Sequence, residues 1–314
     1  MTSLRMDPKV FVVVLNWRRS TDTIDCVQSL LGTAYQRVEI VIVDNASGDG
    51  SVARLTAAFS KIPVIENSEN LGYAGGNNIG IRYALEHGAD YVLLLNNDTI
   101  VDRNVVQDLV AAAESDGGVG IVGPKIYDYH EPETIWFAGA MIDWSTGESP
   151  HIGLGERDRG QYEGRVEVDR LTGCAMMVRR EVFERVGVLD PSFFLYYEDV
   201  DFCLRARSAG YQIVCARNAK VWHKVSSSTK ANRASALHRY YHTRNRLMLL
   251  RKYGRLVSKD HRKNIGYVLW YLARLVRRPF ADRALDTAEL SARIDFYRGR
   301  CGIKPRYHEI GHDR

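Results

Sequence analysis

The sequence predicts an α/β protein: a mostly parallel, Rossmann-like sheet flanked by helices, followed by a helical, basic C-terminal extension. Three observations predict it. From Val10 to Val122, short apolar runs rich in branched residues alternate with windows of helical periodicity, the pattern of a parallel sheet with helices on both faces. Three of those runs stop in asparagine or aspartate: Asn16, Asp44-Asn45 and Asn96-Asn97-Asp98. Between Lys230 and Phe280, fourteen Lys/Arg face a single acid, Asp260, so this segment carries +13 in a chain of net +5 and leaves −8 for the rest.

Each element has a local reason. Val10–Leu15 is an apolar, β-branched first strand, and Ser20 or Thr21 can cap a helix reaching about Leu31 with Ile24, Val27, Leu30 and Leu31 on one face. Val38–Val43 is the second strand, Asp49 to Phe59 a helix and Ile62–Ile65 a short third strand. A glycine-rich stretch, Glu66–Gly80, precedes a helix to about His87 that buries Ile81, Ala84 and Leu85. Tyr91–Leu95 has five apolar residues without a polar break, the habit of a central strand buried on both faces. Asp102–Glu114 reads as a helix and Val119–Val122 as a strand. Beyond Gly123-Pro124 the alternation changes. Ile135–Trp144 and Val166–Val178 read as strands around a charged, glycine-rich loop, Gly147–Gly164, whose length predicts mobility and function. Short elements follow: a helix at Glu181–Val186, another from Glu198 to about Ala209, and strands at Tyr211–Ala216 and Lys220–His223. From about Ala231 the chain reads as helical. The expected organisation is therefore a catalytic domain over 1–230, with halves at about 1–125 and 126–230, and a helical basic region over 231–314.

The 314 residues are 45% hydrophobic and 26% charged, ordinary for a globular protein. Five scattered cysteines without CxxC spacing predict reduced core thiols in a cytoplasmic protein and make zinc a poor candidate. The N-terminus has too short an apolar stretch for a signal peptide. The basic segment suggests a phosphate-rich partner or an anionic membrane surface. Within it, Ile265–Ala273 is apolar and flanked by Arg262-Lys263 and by Arg274, Arg277 and Arg278. It is too short to span a bilayer and reads as an interfacial helix, a packed core helix or a helix closing a homodimer.

Four constellations could carry chemistry. Asn and Asp end strands well as turn formers, but three such ends on one parallel sheet converge on a single rim, where open α/β sheets bind ligands. Asp98 there suits a hard divalent cation shared with substrate phosphates. Asp44 suits a nucleoside base or ribose, or alternatively caps a turn. In Asn70–Gly80, glycines including Gly75 around Asn77 permit close backbone approach and offer helix N–H groups to a ligand, although a plain helix entry fits equally; the spacing is neither GxGxxG nor a Walker loop. Glu198-Asp199-Val200-Asp201 places three carboxylates within four residues between apolar flanks, which suits a general base and equally a charged helix start. His223 becomes a metal ligand only if the fold carries it to Asp98.

The stretches VVVLNW, VDNASGDGS, NLGYAGGNNIG, LLLNNDT, LTGCAMMVRR, FFLYYEDVDFCLRARSAGY, VWHKVSSST and YYHTRNRLMLL, in this order over roughly residues 10–250, resemble the inverting family 2 glycosyltransferases of the GT-A fold. Within that family the chain looks most like its rhamnosyltransferase-type branch. The resemblance implies that Asp98 is the last acid of a DxD-type motif, written here N-N-D, and that Asp199 is the base. It implies that Asp44 binds the nucleoside and that His223 ligates the metal. It extends donor binding to Asn16, Asn70, Gly75, Asn77 and Asn97, and acceptor or diphosphate contacts to Glu198, Gly173, Cys174, Trp136, Arg244 and Asn245. The cofactor is Mg²⁺ or Mn²⁺. Asn96 departs from relatives that carry an acid there, so the metal is expected to be held largely by the donor diphosphate and to be labile.

The implied reaction moves a sugar with inversion from a nucleoside diphosphate to a glycan or polyprenyl-diphosphate-linked acceptor, in cell-surface polysaccharide synthesis. The first choice is L-rhamnose from dTDP-rhamnose, and UDP-hexose or galactofuranose is the alternative. The implied location is the cytoplasm, peripheral at the inner face of the membrane, with no nucleic-acid partner. Two other classes remain open. A sugar nucleotidyltransferase normally carries a glycine-rich loop after the first strand, which NWRRSTDT lacks. An inactive glycan-binding scaffold has no reason to keep Asp98, Asp199 and His223 together.

Overall fold

The computed structural model describes residues 7–224, 235–254, 266 and 283–304. The apolar stretch at 265–273 and the arginines at 274, 277 and 278 lie outside them, Gly266 apart. The chain divides into two compact units. The larger comprises the residues up to Met141 together with Pro150–Asp190 and Asp199–Val225, and the smaller takes in Ile142–Ser149, Pro191–Glu198 and the C-terminal helices.

The larger unit is built on one sheet of ten strands. These are β1 (Val10–Asn16), β2 (Val38–Asp44), β3 (Val64–Glu66), β4 (Tyr91–Asn96), β5 (Thr99–Val101), β6 (Val119–Asp128), β7 (Ile135–Phe137), β8 (Arg165–Glu167), β9 (Ala175–Arg179) and β10 (Gln212–His223). The order is β3-β2-β1-β4-β9-β6-β10-β5, with β7 on β6 and β8 on β10. β3, β2, β1 and β4 are mutually parallel, and β9 is antiparallel to both β4 and β6. β6 therefore runs with β4, and β10 runs parallel to β6. Parallel strands dominate because the first half of the chain is built of strand–helix–strand crossovers. The helices are α1 (Ser20–Leu31), α2 (Ser51–Ala58), α3 (Gly72–Glu86), α4 (Val105–Glu114), α5 (Arg180–Val186) and α6 (Glu198–Ser208).

β1 and β4 are buried almost along their whole length, as unbroken apolar runs require when both faces are covered. α3 packs on β1 and β2 at very close range. A Cβ on Gly80 would sit 2.3 Å from Val13 Cγ1, and one on Gly76 would sit 2.6 Å from Leu15 Cδ1. These glycines thus serve helix-on-sheet packing. α3 begins at Gly72, whose φ is +71°, because the glycine without a Cβ makes the left-handed entry.

Several later strands differ in length from the sequence reading. Within 135–144 only Ile135–Phe137 forms a strand, Ala140 and Asp143 making isolated bridges, and within 166–178 only the last residues enter β9. The two short strands expected at 211–223 are one strand, β10, with an irregularity between Ala216 and Lys220. The segment 150–164, expected to be mobile, is tied down. Lys125, 3% exposed, donates to Asp158 at 2.6 Å and to the Tyr162 carbonyl at 2.7 Å, and the Tyr127 hydroxyl donates to Asp158 at 2.5 Å. Cys26, Cys174, Cys203 and Cys215 are buried free thiols, and Cys301 is exposed. Burial pushes the Cys26, Cys203 and Cys215 thiols up to about 12, so they behave as core groups.

The smaller unit contains α7 (Ala236–Lys252) and α8 (Arg283–Tyr297), which pack on each other. Its core gathers Phe194, Tyr240, Tyr241, Ala288 and Ala292. Among the described residues, no helix is long and apolar enough to cross a membrane.

Candidate active site

The carboxyl ends of β2, β1 and β4 lie side by side, with Asn16 in register with Asp44 and Leu15 with Asn96. Asn16 and Asp44 are both fully buried. The Asn16 amide donates to Asp44 Oδ2 at 2.6 Å, the Ser47 hydroxyl donates to the same oxygen at 2.6 Å, and the Ser47 N–H donates to Oδ1 at 2.9 Å. The Thr23 hydroxyl donates to Asn16 Oδ1 at 2.7 Å and accepts from the Asn97 amide at 2.9 Å. Asp44 is thus the hub of a satisfied polar network that fixes three strand ends and closes the turn to Ser47.

Asn45 does the same for the glycine-rich stretch. Its amide donates to Asn70 Oδ1 at 2.8 Å and to the Gly72 carbonyl at 3.1 Å, while its oxygen accepts from Asn67 and from the Leu71 N–H. Asn70 also caps the Gly72 N–H at 2.8 Å. Asn77 is buried and donates to the Tyr73 carbonyl one turn back. Gly75 lies over Leu71, whose Cβ a methyl there would approach at 2.7 Å. Asn70, Gly75 and Asn77 therefore all have internal tasks in shaping the entry to α3.

β5, absent from the sequence reading, brings the second half of the site in. It turns back directly after Asn96-Asn97-Asp98 and pairs antiparallel with β10, setting His223 opposite Thr99. The Lys224 N–H closes the ladder on the Asp98 carbonyl at 2.8 Å. His223 Nε2 then sits 3.1 Å from Asp98 Oδ1. Asp98 Oδ1 thus has the Nε2 of His223 as its near neighbour, while neither Oδ1 nor the other imidazole nitrogen, Nδ1, makes a hydrogen bond of good geometry. For Asp98, burial pushes the carboxyl up, and the His223 charge beside it more than reverses this and lowers it. For His223, burial pulls the imidazole down, while the adjacent Cys174 and Asp98 raise it well above its ordinary value. Trp136 meets the His223 ring edge to face, with centroids 4.7 Å apart, and so fixes its plane.

Asp98 Oδ1 and His223 Nε2, 3.1 Å apart, are an oxygen and a nitrogen donor of the kind a divalent cation accepts. Among the described residues, no group of three or more His, Cys, Asp or Glu is arranged to hold a metal by itself. Such an ion would draw its remaining ligands from a bound substrate.

Asp199 is tied to the same strand end. It stands in the first turn of α6, half-buried, with Oδ2 accepting from the Gly173 N–H at 3.0 Å and Oδ1 from the Val200 N–H at 2.8 Å. Gly173 precedes Cys174, whose carbonyl accepts from the Asn96 N–H at 2.8 Å. The Gly173 carbonyl in turn accepts from the Tyr73 hydroxyl. One short segment therefore ties Asp199 to the end of β4. Neighbouring Asp201 is fully buried and pairs with Arg205 at 2.9 Å, and Arg205 also donates to the Val186 and Val188 carbonyls, which is a structural task. Glu198 is buried. Arg244 and Asn245, expected near acceptor or diphosphate, are 1% and 0% exposed and spend their donors on backbone carbonyls within the smaller unit. Thr23, Ser47 and Tyr73 are the site residues that sequence reasoning misses. Thr23 alone carries a signal, standing seven residues after Asn16 in the following helix.

Residues 10–187 match the model of glycosyl transferase family 2. The chain belongs to that family. It is 32% identical over 207 residues to the low-salt glycan biosynthesis hexosyltransferase Agl10 of Haloferax volcanii, a match spanning 64% of this chain and 62% of that one. It is 26% identical over 253 residues to the dTDP-rhamnosyl transferase RfbF of Shigella flexneri, covering 79% and 81% of the two chains. It is 27% identical over 228 residues to the N-acetylglucosaminyl-diphospho-decaprenol L-rhamnosyltransferase of Mycobacterium tuberculosis, covering 66% and 73%. Among solved structures, the mannosyltransferase PcManGT of Pyrobaculum calidifontis in complex with GDP-Man and Mn²⁺ superposes with a TM-score of 0.55 at 16% identity, covering 97% of this chain and 79% of that one. GalNAc-T7 with UDP, GalNAc and Mn²⁺ gives 0.56 at 17% identity over 70% and 44%. These two likenesses establish the GT-A fold.

Proposed function

We propose that the protein transfers a hexosyl group, with L-rhamnose from dTDP-rhamnose the first choice, from a nucleoside diphosphate to a glycan or lipid-diphosphate-linked glycan, inverting the anomeric centre. The observation that carries the reading is the Asp98–His223 corner with its adjacent oxygen and nitrogen donors, linked through Cys174 and Gly173 to Asp199. The names of the Shigella and mycobacterial relatives favour rhamnose and, for the second, a diphospho-lipid acceptor.

Asp98 and His223 would hold the cation, with the donor diphosphate supplying further ligands. Bound there, Mg²⁺ or Mn²⁺ supplies Lewis-acid neutralisation of the departing nucleoside diphosphate. The polar floor of Asn16, Asp44, Ser47 and Asn97 gives the nucleoside end of the donor a rigid, hydrogen-bonded wall. Asp199 takes the proton of the acceptor hydroxyl as its oxygen bonds to the anomeric carbon and the bond from that carbon to the diphosphate oxygen breaks. The Gly173 and Val200 N–H groups fix its two oxygens, and each oxygen keeps a lone pair for the acceptor.

A donor screen tests this by measuring nucleoside diphosphate release from each sugar nucleotide with Mg²⁺ or Mn²⁺. Turnover of dTDP-rhamnose is expected, turnover of UDP-hexoses or UDP-galactofuranose alone would move the assignment to the second choice, and turnover of none would remove it. Loss of a general base costs about 10²–10⁴-fold in rate, so Asp199→Asn is expected to lose kcat by that factor while keeping donor affinity. If Glu198→Gln or Asp201→Asn is dead and Asp199→Asn is active, the base lies elsewhere in the triplet.

A further inference from the structure

Three of the five residues before Glu198 have positive φ: Phe194 at +64°, Tyr196 at +68° and Tyr197 at +73°. None is glycine or asparagine, and bulky side chains rarely enter this region, because Cβ crowds the following carbonyl. A turn of this kind persists only where its surroundings over-determine it. The carbonyls of this turn are held by a dipeptide of α7. The Asn245 amide donates to the Phe193, Leu195 and Tyr196 carbonyls, each at 2.8 Å. Three carbonyl oxygens thus converge on a single –NH₂ group. Asn245 is itself held, since Arg244 Nε donates to its Oδ1 at 2.9 Å. The rest of the Arg244 guanidinium donates to the Phe193 carbonyl at 3.1 Å and to the Gly302 carbonyl at 2.7 Å. Both side chains are completely buried, and no atom of either is left for a ligand.

We propose that Arg244 and Asn245 are positioning residues for catalysis: they lock the Phe193–Tyr197 turn, and the turn sets where the chain enters α6 and so where Asp199 stands. They do not touch substrate. The proposal rests on reading Asp199 as the base, two residues beyond the turn. The physical reason for asparagine is donor count. The converging carbonyls repel one another and need an N–H donor between them, and no carboxylate of the same shape can provide it.

The test is Asn245→Asp, which preserves shape and replaces the donating amide by an acceptor. Its readouts are amide hydrogen exchange over 193–199, donor Kd and kcat. Faster exchange confined to that stretch, an unchanged donor Kd and a kcat lower by about tenfold or more are expected, since small misplacement of a catalytic group is costly. In an Asp199→Asn background the same substitution is expected to add almost nothing, because two residues acting as one unit are not additive. An equal loss in both backgrounds would overturn the proposal, as would unchanged exchange with full kcat. If Asn245→Asp fails to fold, Arg244→Lys repeats the measurement, keeping the charge and losing the fork that holds Asn245 and the Phe193 carbonyl. Full activity of Asp199→Asn alone would remove the base assignment, while the exchange data would still report whether the dipeptide holds the turn.

Discussion

At the scale of the residue, burial decides which polar groups are structural and which are reserved for a ligand. Asp44, Asn16, Asn45 and Asn245 are buried and hydrogen-bonded; Asp98 Oδ1 and His223 Nδ1 are buried with no such bond. A buried polar atom left unsatisfied costs about 1–3 kcal/mol, so an unsatisfied carboxylate oxygen at a strand end points to a ligand. Asp98→Ala is accordingly expected to lose metal-dependent turnover by about 10²–10³-fold, the usual scale for removing an electrostatic clamp. His223→Ala is expected to weaken Mn²⁺ binding measured without donor turnover, and unaltered Mn²⁺ affinity in both variants would count against the corner as a metal site. The opposite case is Asp158. Burial raises its carboxyl, but the bonds from Lys125 and Tyr127 outweigh this and bring it down to about 2. Its folded value lies below the ordinary value of 3.8. The stability it contributes is therefore present above that value and is lost as pH falls toward 2. The Tm gap between wild type and Asp158→Asn is expected to be full at pH 6 and to close between pH 4 and pH 2; a gap constant across that range would refute the assignment.

At the scale of the element, the close contact of α3 with β1 and β2 rests on glycines. Ala in place of Gly80 would bring a methyl within 2.3 Å of Val13 and 3.2 Å of Val43. Overpacking of this sort costs about 1–3 kcal/mol. That exceeds the helix-propensity gain of about 1 kcal/mol that Gly→Ala gives at an open position. Gly80→Ala is expected to lower the urea midpoint, whereas a rise would show that propensity wins. The glycines of this stretch also mark what is legible in a sequence. Their presence, and the helix after them, are local facts. Whether a glycine faces phosphate or Val13 depends on a strand 67 residues earlier in the chain. The same divide runs through the strands. β1, β2 and β4 announce themselves because burial on both faces demands an unbroken apolar run. β5 and β8 are three residues each, too short for any periodicity, and exist through their pairing with β10. The side chains at the strand ends are therefore readable in advance. The Asp44–Asn16–Thr23–Asn97 chain of bonds is not, because it joins residues from two strands, a helix and the turn after β4.

At the scale of the whole molecule, charge is distributed unevenly. The stretch from Lys230 to Phe280 is strongly basic while the remainder is acidic. Part of that basic surplus is spent inside the smaller unit: Arg244 is buried, Arg246 pairs with Glu148 at 3.2 Å and Arg239 with Glu289 at 3.7 Å. The arginines at 274, 277 and 278 lie outside the described residues, and the sequence places them directly after the apolar stretch Ile265–Ala273, which carries Trp270, Tyr267 and Tyr271. Aromatics beside a basic cluster are the composition of a segment lying at headgroup depth. Nine residues fall far short of the roughly 20 needed to span a bilayer, so attachment there would be interfacial. Each Lys or Arg near an anionic surface contributes about 1 kcal/mol, which falls away within a Debye length as salt rises. An acceptor on a lipid diphosphate gives such attachment a purpose, since it confines enzyme and acceptor to one surface. Wild type is expected to co-sediment with anionic liposomes at low salt and to be released at high salt. Changing Arg274, Arg277 and Arg278 together to Gln is expected to weaken binding by about a hundredfold at low salt, because three such contacts are worth about 3 kcal/mol. Neutral liposomes should retain neither protein. Equal recovery of wild type and the triple variant on anionic liposomes at both salt concentrations would eliminate the membrane role of this segment.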